Sequence, residues 1–364
     1  LKNRNKLIKI ESIRSNIDIK TFINKKFSLS ELDITTRTIE IKNLISFIRS
    51  IKDSPQIYIL EKFVKKGYLI ADINLKFDQK GNIKDDFIIK GFVKDGEVKP
   101  LKKINLSKIS LIFNLQNNKF EFKDINLSYD NNDLTFPELN IKKQKNKFLV
   151  SGKNNSKNLV LDNKKINQLL NIDFSNLKIK SAEFDLSNTF SFKIDNKYKI
   201  DDFKIDSLMN LKNSKVVSSK NLKEFFPELN EIIELSDHQI QIEFKENFLS
   251  IIGNGNILIQ KEKDDIKYNF LKSKKKLKFD TSLKIKKNPF HMNFLNYRKD
   301  QDDKLNIIIL GVKDLLSNEI NLENVSIEEK NNKFEIKNLL LSKKYRIKSV
   351  SKLNLNYFDN DLLK

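Results

Sequence analysis

Cysteine is absent, and glycine, proline and histidine are scarce, at 8, 5 and 2 residues in a chain of 364. Without cysteine there is no disulfide framework, thiolate metal site or cysteine nucleophile, and either redox compartment is compatible with the chain. His238 and His291 lie far apart, and neither sits in an HxH, HExxH or HxE setting. Both read as surface or interfacial residues rather than as a ligand or a base. Scarce glycine argues against a phosphate or cofactor cradle, where the backbone must approach its ligand closely. The GNG at 253–255 lies between the strand-like runs FLSII and ILIQ with no helix after it, so it reads as a turn or bulge. Turn-making must then fall to Asn, Asp, Lys and Ser. Long apolar runs are also missing. The longest, IYIL at 57–60 and IIIL at 307–310, fall far short of the ~20 residues that a membrane-spanning helix needs.

What is present is polar but not disordered. Hydrophobic residues are 39% and charged residues 32%, which is too apolar for an unfolded chain yet rich in surface for this length, so an elongated or repetitive architecture suits it better than a thick-cored enzyme. The length alone allows two or three domains or one elongated one. The net charge is +21, but lysine is spread along nearly every strand as the polar partner of Ile, Leu or Phe. The densest clusters, KSKKKLK (272–278), KIKK (284–287) and KKQKNK (142–147), read first as solvated turns or outer sheet faces and second as contacts for anionic lipid headgroups. The chain starts at Leu1, is strand-like by Ile8 and Ile10 and ends in strand-like sequence. The expectation is a fragment of a longer protein, with any signal peptide or anchor upstream.

One stretch recurs. NKFEFKDINLS at 118–128 returns as NKFEIKNLLLS at 332–342, and upstream NLSKISL (105–111) has its counterpart in NLENVSI (321–327). Each copy reads as a strand, a polar turn and a second strand with alternating apolar residues, which is a hairpin used more than once. Weaker echoes occur at 146–152, 196–207 and 247–253.

Most of the chain alternates with period two. In YLIADINLKF, Ile73, Leu75 and Phe77 fall on one face, and ISLIFNL places Leu111, Phe113 and Leu115 together. Phe120 and Phe122, then Ile240, Ile242 and Phe244, then Phe334 and Ile336 continue the pattern. Such strands have one apolar and one polar face, as in an antiparallel sheet with one side in water. The apolar faces either cover each other in a sandwich or barrel or line an open trough, and periodicity alone does not choose. Residues 43–66 are the long helical exception: Leu44, Ile45, Phe47, Ile48 and Ile51 form a stripe, and Ser54-Pro55 starts a second helix carrying Ile59, Leu60, Phe63 and Val64 that ends at Gly67. A short helical turn or connector is predicted at 21–26 (TFINKK), and short helical interruptions at 163–171 and 220–229.

Two segments resemble the AsmA-like family. Residues 12–42, SIRSNIDIKTFINKKFSLSELDITTRTIEIK, are similar to its start, in which a strand pair, a connector and a leucine-polar-isoleucine strand precede a terminal IEIK-type strand. Residues 67–98 are similar to its next hairpin, with turns at 78–81 and at Asp95-Gly96 and a strand running into Gly91. The resemblance implies a mostly β fold: an elongated, twisted antiparallel sheet of repeated hairpins rolled into an open groove, with a short helical segment near the N-terminus. It divides the chain into N-terminal groove strands (1–42), a helical cap (43–66) and a repeated hairpin segment (67–364). It implies a periplasmic, inner-membrane-anchored protein of a Gram-negative cell that moves phospholipid between the membranes and serves outer-membrane biogenesis. Its expected partners are phospholipid acyl chains, the inner membrane through an upstream anchor, and outer-membrane proteins, with no specific nucleic acid. The thirteen inward-facing candidates are the alternating residues named above, from Ile73 to Ile336, and no catalytic residue, cofactor or metal is expected. Two other readings remain open: a structural or adhesive cell-surface β-repeat protein with a closed core, and a basic nucleic-acid binder, which would need lysine concentrated on one surface beside exposed aromatics.

Overall fold

The computed structural model describes residues 10–24, 29–51, 55–84, 86–101, 104–162, 179–195, 197, 199–299 and 302–356. Strands account for 72% and helices for 8%. Every ladder is antiparallel. Twenty strands belong to one sheet that is not closed, and two more form a separate short ribbon. The chain divides into two compact units, Leu1–Lys157 with Thr189–Asp202, and Asn158–Asn188 with Phe203–Lys364.

In the first unit β1 (Ile10–Ile17) leads through the short α1 (Ile19–Ile23) to β2 (Leu29–Thr36) and β3 (Ile39–Glu40). Two helices follow, α2 (Ile41–Ile51) and α3 (Pro55–Phe63), and then hairpin-connected strands β4 (Val64–Lys76), β5 (Ile88–Leu101), β6 (Ile104–Gln116), β7 (Lys119–Tyr129), β8 (Asn132–Gln144) and β9 (Lys147–Asp162). Pro55 opens α3, where its missing N–H costs nothing. The helix stops at Phe63, earlier than the sequence suggests, because Val64 pairs with Val98 and commits the backbone to β4. Likewise the IEIK run yields only two strand residues before Ile41 starts α2. The helices are joined by the Arg49–Glu61 ion pair, with the Arg49 guanidinium over the Tyr58 ring. Ile45 of α2 is 3% exposed, and Ile41 and Leu44 pack on Leu69, Ala71 and Phe113 of the sheet.

The remaining strands are β10 (Ile179–Asp195), β11 (Ile200–Val217), β12 (Ile232–Lys245), β13 (Phe248–Leu258), β14 (Lys263–Lys272), β15 (Lys276–Ile285), the ribbon β16 (His291–Met292) and β17 (Tyr297–Arg298), β18 (Leu305–Asp314), β19 (Ile320–Glu329), β20 (Asn332–Leu341), β21 (Ile347–Ser349) and β22 (Lys352–Asn356). The helical character at 220–229 is a single 3-10 turn, Lys220–Glu224, ending before Pro227. The helix expected at 163–171 lies outside the described residues.

The two copies of the repeat are the hairpins β6–β7 and β19–β20. Asp124 and Asn338 occupy the same place in the copies and share a left-handed backbone, φ 50° and 52°. Ladder register shifts beside Asp124, and across β18–β19 beside the partner of Asn338. The repeat therefore carries a bulge as well as a hairpin. Ten of the fifteen non-glycine residues with positive φ among the described residues are Asp or Asn, the side chains that tolerate this conformation best.

Glycine has a different use. Gly91 lies opposite Phe113, Gly253 opposite Tyr268 and Gly311 opposite Phe279, and in each case the ring lies where a Cβ would be. The GNG segment is thus mid-strand in β13 rather than a turn. The irregularity sits on its partner, between Ser236 and Gln239, where Asp237 has φ 58°. A Cβ on Gly253 would come 2.4 Å from the Tyr268 ring, whose atoms are its three nearest neighbours. In an ordinary strand Gly→Val is favourable. Here Gly253→Val is expected to destabilise the fold by about 1–3 kcal/mol through overpacking, and by distinctly less in a Tyr268→Ala background. Urea unfolding of the four proteins of that cycle measures the coupling.

Candidate functional site

Residues directly opposite across a ladder share a face, so registers place the side chains. In the first unit Ile34, Ile73, Ile89, Leu115, Phe120, Ile141 and Val150 form one unbroken row from β2 to β9. The next row is Ala71, Gly91, Phe113, Phe122, Leu139 and Gly152. Leu69, Val93 and Leu111 form a third, and Leu75 faces Leu32. Phe77 has the same parity on β4 and bridges Ile83. One residue along the strands, the opposite face reads Asp72, Lys90, Asn114, Glu121, Asn140 and Ser151. Apolar and polar rows are thus separated by a single step of the backbone.

The second unit repeats this arrangement. Ser207, Ile242, Ile251, Phe270, Phe279, Gly311, Leu322 and Leu339 form one row, and Met209, Ile240, Gly253, Tyr268, Thr281, Ile309, Val325, Ile336 and Leu353 the next. Phe244 continues the face between Ile205 and Leu249, and Phe334 lies between Ile327 and Leu355. All thirteen candidates therefore fall on an apolar face, eight in the first unit and five in the second. Phe113 and Phe334 are buried and the other eleven are half-buried.

Each face is covered at one end. In the first unit α2 lies on Leu69, Ala71 and Phe113, which makes that end a dry core. In the second unit Phe226, Phe290 and Met292 pack on Ile257, Ile285 and Leu305, with Ile285 and Leu305 fully buried. Polar pins hold this cap. Buried Asp264 accepts hydrogen bonds from the Lys286 N–H (2.9 Å) and the Asn288 amide (2.7 Å), and Gln260 donates to the Pro289 carbonyl (2.7 Å). Burial pushes the Asp264 carboxyl above its ordinary range. A recess of about 40 Å3 beside Met292, Tyr297 and Phe334 has room for little more than a water molecule. Away from the caps, the strands make their main close contacts with ladder neighbours.

His238 is a buried polar residue on the second unit's face. It is 1% exposed, not at the surface as its sequence setting suggests, and its ring lies across Gly255. Nε2 lies 2.9 Å from the Asn256 carbonyl, so it carries the proton and donates, and Nδ1 accepts from the Tyr268 hydroxyl at 3.2 Å. Sequence gives no cue to this pair, because the residues are 30 apart and meet only through the β12–β13–β14 register.

Burial lowers the His238 pKa, and the Asn256 carbonyl and nearby Asp237 oppose this more weakly. Burial also pushes the Tyr268 hydroxyl up to about 12. With the folded imidazole pKa below the unfolded value near 6.5, the unfolded chain takes up the proton first on acidification. The stability present above about pH 6.5 is expected to decline as pH falls from there towards the folded pKa. Chemical denaturation at pH 7.5 and 5.5 should show this loss in the native protein, and a smaller one in His238→Gln.

Among the described residues no helix is long and apolar enough to cross a membrane, and no group of His, Cys, Asp or Glu is placed to hold a metal ion. No family model, curated protein or solved structure matches the chain.

Proposed function

We propose that the apolar face of each unit holds phospholipid acyl chains, and that the chain is a periplasmic segment of an inner-membrane-anchored, AsmA-like protein moving phospholipid between inner and outer membrane in outer-membrane biogenesis. The observation that carries this reading is the in-register apolar row, half-buried and directly behind a polar row. A face of that size left to water would be a liability, and apolar surface is stabilised by roughly 25 cal/mol for each Å2 covered. An acyl chain needs continuity of such surface rather than directional bonds, which suits rows built of Ile, Leu, Val and Phe. The function asks for no nucleophile or acid–base pair, so the protein is not assigned an enzymatic activity. The hairpin repeats and the AsmA-like segments at 12–42 and 67–98 support the wider assignment, in which the anchor lies upstream and outer-membrane proteins are partners.

The test is to purify the protein without detergent, extract it with organic solvent and measure co-purifying phospholipid by mass spectrometry beside a mock preparation. Phospholipid is expected well above the mock, and severalfold lower in Phe120→Asp/Ile141→Asp, two half-buried residues that face each other across β7–β8, provided circular dichroism shows the variant folded. A folded native protein that carries no phospholipid and takes none from labelled vesicles would favour the structural β-repeat reading instead.

A further inference from the structure

The second unit's apolar face has unlike ends. One is closed by Phe226, Phe290 and Met292. The other ends in lysine. Registers place Phe244, Leu249, Lys272, Leu277 and Lys313 in one cross-strand row, so Lys272 and Lys313 stand on the apolar face itself, at its last step before the turns. Nearby are Lys245, the last residue of β12, Lys274 and Lys275 in the turn between β14 and β15, and Lys276, the first residue of β15. Four of these line an open recess of about 610 Å3 with Phe248 and Ser273. Two acids lie close by. Glu246 lines the same recess, and the Asp314 carboxylate already accepts the Leu316 and Ser317 N–H groups at 2.8 Å, its pKa lowered by them and by Lys276. No ammonium group of the six lysines has a carboxylate partner within ion-pair distance among the described residues, whereas lysines elsewhere in this unit, such as Lys215, Lys286 and Lys333, do.

Lys272 is exposed and Lys313 half-buried, so their charges meet water right beside apolar surface, where an anionic head on an apolar chain is attracted. From Leu249 to Gly255, before the cap over Ile257, the face runs roughly 20 Å at about 3.4 Å per residue, and an acyl chain of one leaflet is about half of the ~30 Å hydrocarbon core. We infer that this end is a headgroup site: an anionic, phosphate-bearing amphiphile lies along β12–β15 with its chain crossing the Ile242, Ile251, Phe270 and Phe279 row towards the cap, its phosphate at Lys272 and Lys313, and the neighbouring lysines around it. The inference rests on the acyl-binding reading above and adds an orientation and a head chemistry to it.

Isothermal titration of the full chain at low salt, below micelle formation, with dodecyl phosphate, dodecyl maltoside and inorganic phosphate tests it. Dodecyl phosphate is expected to bind about tenfold or more tightly than dodecyl maltoside, since the lysines attract a phosphate head and not a maltoside. The preference should shrink as salt is raised. Lys272→Glu/Lys313→Glu should abolish the preference and leave dodecyl maltoside binding unchanged, and Lys274→Glu/Lys275→Glu should weaken it if the first variant does not fold. Equal binding of both amphiphiles, or a preference that survives in folded Lys272→Glu/Lys313→Glu, overturns the headgroup site while leaving acyl binding intact. Binding of neither amphiphile overturns acyl binding itself. Inorganic phosphate binding as tightly as dodecyl phosphate would show a free-anion site instead. Loss of anionic-vesicle binding in the variants, with dodecyl phosphate binding retained, would show a membrane-docking surface and overturn the proposal.

Discussion

Register is the constraint on which everything else in this protein depends. Side chains alternate along a strand with period two, so a slip of one residue in any ladder would exchange the Ile73–Ile89–Leu115–Phe120 row with the Asp72–Lys90–Asn114–Glu121 row. Each hairpin therefore must hold its register without disulfides and with little help from glycine or proline. The means are local: Asp and Asn at left-handed positions fix the bulges, and Asp side chains tie turns, as when Asp78 accepts the Lys80 and Asn82 N–H groups. The Asn82 side-chain amide, with these N–H groups, keeps the Asp78 carboxyl below its ordinary range.

A face built by register alone would be apolar from end to end, and each unit modifies this at its ends. Helix α2 turns one end of the first unit's face into a dry core around Phe113, and the segment pinned by Asp264 and Asn288 does the same over Ile285 and Leu305. What remains between is half-buried by neighbouring side chains in its own sheet. The rings that lie across Gly91, Gly253 and Gly311 lower the face locally and keep aromatic surface in contact with backbone. Scarce glycine, read in the sequence as the lack of a ligand cradle, thus becomes a feature of the face.

Alternation made the strands legible, and with them which residues of a strand share a face, because it is a property of single segments. The hairpin repeat was legible for the same reason. What was not legible depends on which segments meet. The burial of His238 arises from three strands in register, and the cap over the second unit joins residues 226, 257, 290 and 305, none of which carries a local motif. The end of α3 was misplaced because Val64 suits a helix stripe and a strand equally, and only its partner Val98 decides. Lys272 read as part of a solvated lysine run, and only its pairing with Leu249 and Leu277 puts it on the apolar side.

The most direct measurement of the central claim is photo-crosslinking by face. A photoreactive residue placed singly at Ile73, Leu115 or Phe120, and at Asp72, Asn114 or Glu121, is irradiated in the presence of phospholipid vesicles, and lipid adducts are read by mass spectrometry. Adducts at the first three positions and not at their sequence neighbours are the result this account predicts, since only the apolar face would hold acyl chains. Adducts of equal yield on both faces, or none on either in folded protein, would contradict it.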